Sequence, residues 1–209
     1  MKYSEKEILA LRSSVEKRLS EKRFAHTVGV ERMAVKIGQI ILPDKLDLLR
    51  VAALLHDISK EYSEAEYFSI LKSHNIALSD EDLAAPALWH SMTAPFAVRS
   101  DFSVFADDEV LSAVYNHTVG SPDMSVFDEI ILLSDYIEDG RKYKNCVELR
   151  ESFLSELDLA KTKSDAIFAL HRAVAKSLDN TINEFISRGS SYHSRTLLTR
   201  DAILAKLER

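Results

Sequence analysis

The run Val51-Ala52-Ala53-Leu54-Leu55-His56-Asp57-Ile58-Ser59-Lys60 sets five apolar residues directly against a histidine and an aspartate. Neighbouring side chains on a helix point about 100° apart, so His56 and Asp57 reach one common point only from a helix end. A helix is therefore expected from near Asp44, carrying Leu48, Val51, Ala52 and Leu55 and delivering the His-Asp pair at its end. A buried carboxylate is costly unless it is paired or bound to a metal. Asp57 thus raises the question of what it faces.

Outward from this run, periodicity between turn signals is helical almost everywhere. A first helix opens at Ser4, with Ile8, Leu11 and Val15 on one face and Ser4/Glu7 as a capping box. A second runs from about Ser20 to Ile41, striped by Val30, Met33 and Ile37, and Pro43 ends it. Ser63 with Glu66 and Ser79 with Asp82 mark two more starts. Beyond Pro86 and Pro95 two strongly buried helices are expected. One carries Val110, Ala113, Val114 and His117; the other follows Ser125 and carries Ile130, Ile131, Leu132 and Leu133. A long helix from Ser164 to Arg188 is closed by Gly189. A last amphipathic helix holds Leu197, Leu198, Ile203, Leu204 and Leu207. The expected fold is all-α: one domain over residues 1–188 and a C-terminal helical extension over 189–209. That extension either covers the core or mediates self-association as a homodimer.

Composition agrees. The chain has 209 residues, 46% hydrophobic and 29% charged, the balance of a soluble globular protein. Only 5 glycines and 4 prolines are present, too few for a sandwich or barrel of many tight turns. A formal charge of −6 gives no broad attraction for a nucleic acid polymer or an anionic membrane. Cys146 is the only cysteine, which excludes a disulfide framework and a thiolate metal cage. No stretch approaches the ~18 apolar residues of a membrane span, and the N-terminus is a poor secretory signal. A cytoplasmic location is expected.

The ionisable residues on core-facing stripes carry the chemistry. His26 lies one turn before Val30, His117 follows Val110, Ala113 and Val114 at helical spacing, and Asp135 lies four residues after Ile131. His90, between Trp89 and Ser91, also sits in an apolar setting. Taken singly, each histidine reads as a hydrogen-bonded core residue, and Asp135 equally well as a cap or a salt-bridged carboxylate. A single metal cluster would satisfy all of them at once.

In order and spacing, His26, His56-Asp57, His90, His117 and Asp135 resemble the H…HD…H…H…D arrangement of HD-domain metal-dependent phosphohydrolases. Two longer motifs narrow the likeness. Asn116-His117-Thr118-Val119-Gly120-Ser121-Pro122-Asp123-Met124-Ser125 and Leu133-Ser134-Asp135-Tyr136-Ile137-Glu138-Asp139-Gly140-Arg141 resemble the bacterial YqeK family, symmetrical bis(5'-nucleosyl)-tetraphosphatases. The likeness spans roughly residues 5–188. The chain departs from the usual family pattern at Ser91 and Val119 and in its length after Arg188.

The resemblance implies an HD-domain helical bundle around a buried metal centre that cleaves diadenosine tetraphosphate into two ADP. It implies His26, His56, Asp57 and Asp135 as ligands of a first ion. Asp57 would bridge to a second, with His90 and His117 either ligating that ion or contacting phosphate. One or two divalent ions are implied, iron foremost, with manganese, zinc or nickel as alternatives suited to nitrogen and carboxylate donors. Such an ion lowers the pKa of bound water to about 7, so a metal-bound hydroxide is the implied nucleophile. Asp57 and Lys60 are the candidate catalytic residues; Arg23, Thr118 and Arg141, with His90 and His117, are candidate substrate contacts. Asp123 is expected to order its loop, while His74, His171 and His193 read as surface or packing residues. Two other functions fit the same residues. One is an HD phosphohydrolase acting on a nucleoside mono- or triphosphate or a guanosine alarmone; the other is a metal-stabilised nucleotide-binding module.

Overall fold

The computed structural model describes residues 2–208, which form eleven α-helices joined by short turns, with no strand among them. Met1 and Arg209, the outer limits of the two segments expected from sequence, lie outside the described residues. At the centre is α3 (Leu46–Leu55), wrapped by α1 (Glu5–Glu16), α2 (Glu21–Ile41), α7 (Asp108–Asn116) and α8 (Val126–Ile137). Val51 through Leu55 are all fully buried, as an apolar helix surrounded by others must be. Pro43–Lys45 forms a 3₁₀ turn, so α3 starts at Leu46 rather than at Asp44.

The capping boxes at Ser4/Glu7, Ser63/Glu66 and Ser79/Asp82 all form, the last two opening α4 (Glu64–Ser73) and α5 (Asp80–Leu83). Two more close at Ser125/Asp128 and Thr162/Asp165. The second places the start of α10 (Lys163–Ser187) one residue before the expected Ser164. After α10, Gly189 takes the left-handed conformation, φ +67°, that favours glycine at a helix end.

Two helices escape the sequence periodicity. Pro95 does not bound a helix but lies inside α6 (Trp89–Asp101), where it leaves the Ser91 carbonyl without its helical donor. Nearly every residue from Trp89 to Val98 is buried, so α6 has no polar face to create a stripe. The other is α9 (Lys144–Leu159), which buries only the narrow row Cys146, Leu149, Phe153 and Leu157 and has no side-chain cap.

The final helix, α11 (Ser194–Leu207), packs on α10 and adds Ile203 to the main core. Its buried face is Thr196, Thr199 and Ile203, whereas Leu198 is 56% exposed. Thr199 satisfies its hydroxyl on the Arg195 carbonyl, 2.8 Å away, and its short side chain permits close approach to the loop after α7. A Cβ on Gly120, φ +69°, would come within 2.5 Å of Thr199 Cγ2. At the far end of α11, Lys206 donates to the Met124 carbonyl at 3.0 Å and to buried Glu129 at 2.8 Å. No helix is long and apolar enough to cross a membrane among the described residues.

Candidate metal centre

Three of the histidines are oriented by one local device. His56 and His117 are the C-caps of α3 and α7, and His90 is the second residue of α6. Each directs Nδ1 at the carbonyl three residues back: Ala53 at 2.7 Å, Val114 at 2.7 Å and Ala87 at 2.8 Å. A carbonyl can only accept, so Nδ1 carries the proton and the Nε2 lone pair is left pointing inward. His26, from the interior of α2, uses Glu138 Oε1 at 3.2 Å for the same purpose.

The four Nε2 atoms surround Asp57. Its Oδ1 lies 3.2 Å from His90 Nε2 and 3.5 Å from His117 Nε2. Its Oδ2 lies 3.6 Å from His56 Nε2 and 3.9 Å from His26 Nε2. Asp135 Oδ1 completes the second group, 2.9 Å from His26 Nε2 and 3.9 Å from His56 Nε2. Donors about 2.0–2.2 Å from one ion stand roughly 3 Å or slightly more from each other, so these spacings fit cation capture.

Two further observations support the fit. The Nε2 atoms of His26 and His56 are buried without a hydrogen-bond partner, although Asp135 lies near both. His90 Nε2 and His117 Nε2 face each other at 3.0 Å with both Nδ1 positions already donating, which sets lone pair against lone pair. A cation relieves both situations. The triads His26/His56/Asp135 and His56/Asp57/His117 each hold their donor atoms within 4.8 Å of one another.

Electrostatics of the protein groups point the same way. Burial pushes His56 and His90 down to about 4, keeping both neutral and ready to ligate at pH 7. Burial also opposes the charge on His26, but the neighbouring carboxylates of Asp135 and Glu138 outweigh it and lift that ring to about 9. Asp57 and Asp135 are held well below the usual carboxylate range: burial works against their charge, and the surrounding histidines, with Arg141 beside Asp135, overcome it.

The remaining expected residues separate into those at the cluster and those away from it. Arg23 Nη1 lies 2.8 Å from Asp57 Oδ2, and Arg141 Nη2 lies 2.8 Å from Asp135 Oδ1. Lys60 Nζ is 3.0 Å from His90 Nε2 and 4.0 Å from Asp57 Oδ1, and burial lowers its pKa. Thr118 is turned to another task. Ser91 donates its hydroxyl to the Leu88 carbonyl, so Thr118 is the donor in the 3.0 Å bond between the two hydroxyls. Its proton links the neighbours of His90 and His117 instead of being offered to a phosphate. Asp123 lies in an exposed turn, its N–H on Ser121 Oγ at 3.4 Å. His74 stacks on Phe96, His171 is buried against Glu129 at 2.6 Å, and His193 pairs with Asp82 at 3.1 Å.

Sequence reasoning missed Glu138 as a site residue. Its carboxylate anchors His26 and accepts the Gly140 N–H at 2.5 Å. A Cβ on Gly29 or Gly140 would approach it to 2.3 or 2.7 Å, so both glycines make room for it. The available signal was an acid three residues after Asp135 and two before a glycine.

The model of the family described as HD domain matches residues 23–158, which include all six clustered residues. The chain belongs to the HD-domain family. Among relatives of this HD protein, "Bis(5'-nucleosyl)-tetraphosphatase, symmetrical" of Halalkalibacterium halodurans is 29% identical, over 91% of this chain and 93% of its own. The Bacillus subtilis protein of the same name is 28% identical, over 88% of this chain and 91% of its own. A crystal structure described as a predicted HD superfamily hydrolase involved in NAD metabolism from Clostridium acetobutylicum superposes with a TM-score of 0.80. It is 29% identical, and the match covers 98% of both chains.

Proposed function

We propose that this HD protein is a metal-dependent symmetrical bis(5'-nucleosyl)-tetraphosphatase that hydrolyses diadenosine tetraphosphate to two ADP. The observation that carries the reading is the Asp57 carboxylate, one oxygen turned to His90 and His117 and the other to His26 and His56. The activity named for its full-length relatives supplies the substrate class.

His26, His56, Asp57 Oδ2 and Asp135 would hold a first divalent ion, and Asp57 Oδ1 with His90 and His117 a second. Iron is the favoured metal. Such ions supply a water acidic enough to ionise near neutral pH and offset charge on the phosphoryl oxygens. The protein does the rest. Glu138 holds the His26 ring in orientation, as the three backbone carbonyls do for the other histidines. Arg23 and Arg141 each spend part of a guanidinium fork on an aspartate and keep further N–H donors for phosphate oxygens. Lys60, its pKa lowered by burial, protonates the departing ADP oxygen or pairs with it. Water adds to one central phosphorus, the central P–O–P bridge breaks, and one proton goes to the leaving ADP, so the products are two ADP.

The test is chromatography of products from diadenosine tetraphosphate with the iron- or manganese-loaded protein. ADP as the sole nucleotide product is expected. AMP with ATP would mean asymmetric cleavage. Faster turnover of a nucleoside mono- or triphosphate or a guanosine alarmone would move the chain to another HD activity.

A further inference from the structure

Arg23, His26 and Arg141 also form one wall of a larger cleft of about 820 Å³, most of whose lining has no part in the ligand cluster. Its floor follows a stripe of α2 on which Lys22, Ala25 and Arg32 lie at helical spacing. The opposite side is the turn from Glu138 to Tyr143. Arg150, from α9, fixes that turn by donating Nη1 to the carbonyls of Ile137 (3.1 Å), Glu138 (2.8 Å) and Arg141 (3.3 Å). Tyr143, the N-cap of α9, is therefore presented on a braced backbone with 74% of its surface exposed. Val104 and Leu159 are comparably exposed, at 69% and 75%, but neither lines this cleft.

The charge of the cleft is opposite to that of the protein. Five cations line it against two carboxylates, Glu61 and Glu138, in a chain whose formal charge is −6. Arg23 and Arg141 are engaged by Asp57 and Asp135. Lys22 and Arg32 make no ion pair among the described residues, and Lys142 donates only to the Asp139 carbonyl, at 2.7 Å. An exposed aromatic face beside unneutralised cations is the combination that recognises a nucleotide: the base stacks and the phosphates are neutralised.

We propose that this cleft is the subsite for one nucleotide half of the substrate, with the nucleobase on Tyr143 and its phosphates among Lys22, Arg32 and Lys142. The word "half" rests on the dinucleoside polyphosphatase reading; capture of a single nucleotide does not. Stacking accepts any π-face, so the subsite discriminates weakly among bases and strongly against ligands that have none.

The experiment is calorimetric binding of ADP and of inorganic pyrophosphate to the full, metal-loaded chain. In Tyr143→Ala, ADP affinity is expected to fall about tenfold while pyrophosphate affinity stays within about twofold. Tyr143→Phe should restore ADP binding, and Lys22→Ala with Arg32→Ala should weaken both ligands and flatten their salt dependence. Unchanged ADP affinity in Tyr143→Ala, or equal losses for the two ligands, overturns the subsite. Turnover of diadenosine tetraphosphate is read separately. If the wild type fails to hydrolyse it but binds ADP through Tyr143, the hydrolase reading falls and the subsite stands. If Tyr143→Ala hydrolyses it with unaltered KM and ADP affinity, the subsite falls and the hydrolase reading stands.

Discussion

The two oxygens of Asp57 look onto different surroundings. On the Oδ2 side, His26 and Asp135 come from the bodies of α2 and α8, two guanidinium groups stand beside the carboxylates, and the cleft opens next to His26. On the Oδ1 side, His90 and His117 come from helix ends, are buried, and share Asp57 as their only carboxylate, with the Lys60 ammonium nearby. The second side is braced through α5 and α11. Arg195 of α11 donates to Tyr115 at 2.9 Å, Ser194 bonds Glu81 at 2.6 Å, and Trp89 Nε1 donates to the Asp82 carbonyl at 2.8 Å. Two carboxylates hold a dication more firmly than one beside an ammonium. The open side thus sets two carboxylates and two guanidinium groups beside the cleft, and the closed side aims two imidazoles at one carboxylate oxygen.

The largest expected effect breaks both sides at once. Asp57→Ala should abolish turnover, a loss of at least about a thousandfold, and strip both ions; elemental analysis and single-turnover kinetics read it. Retained stoichiometric metal would refute the shared role. His90→Ala separates the sides. It should reduce bound metal while leaving the ion at His26 and Asp135, whereas His26→Ala should remove that ion. Equal metal loss in both variants would erase the distinction.

Glu138→Gln sharpens the comparison by a smaller step. Glutamine keeps the volume in the Gly29/Gly140 cradle but cannot anchor a positively polarised imidazole as a carboxylate does. Metal affinity is expected to fall about 10- to 100-fold, with the fold unchanged by circular dichroism. Unaltered metal titration would show that His26 needs no such anchor.

The smallest effect is a pH dependence confined to the chelator-treated protein. His26 is raised above its ordinary 6.5 to about 9, so its interactions with Asp135 and Glu138 are fully present below pH 6.5 and are lost as pH rises through 9. Denaturant unfolding should show a stability loss on the order of 3 kcal/mol across that window. Metal-loaded protein should lack the slope, because a ligating Nε2 carries no proton. A flat profile for the chelated protein would show that His26 is not charged there.

How much was legible beforehand follows the same division. His26, His56, His117 and Asp135 lie on or just beyond apolar stripes, so periodicity aimed them inward, and the His56-Asp57 pair stood out at the end of α3. His90 lacked that signal because α6 is buried on nearly all sides and contains Pro95, which leaves no stripe and suggests a break. Glu138 lay beyond local patterns, since its role depends on closing a turn against Gly29, more than a hundred positions away in the chain. The Tyr143 cleft was likewise invisible, because it exists only when α9, with no cap and a narrow apolar row, fixes the turn through Arg150. The exposed leucines of α11 show the converse: its docking uses threonines, which hydropathy ranks as surface residues.

The most direct measurement is an anomalous-scattering map from crystals of the iron- or manganese-loaded protein. Convergence of the histidines on Asp57 requires a strong peak within bonding distance of His26 Nε2, His56 Nε2, Asp57 Oδ2 and Asp135, with any second peak on the Oδ1 side between His90 and His117. A fully loaded crystal whose metal sits at surface histidines such as His74 or His193, with no density beside Asp57, would contradict it.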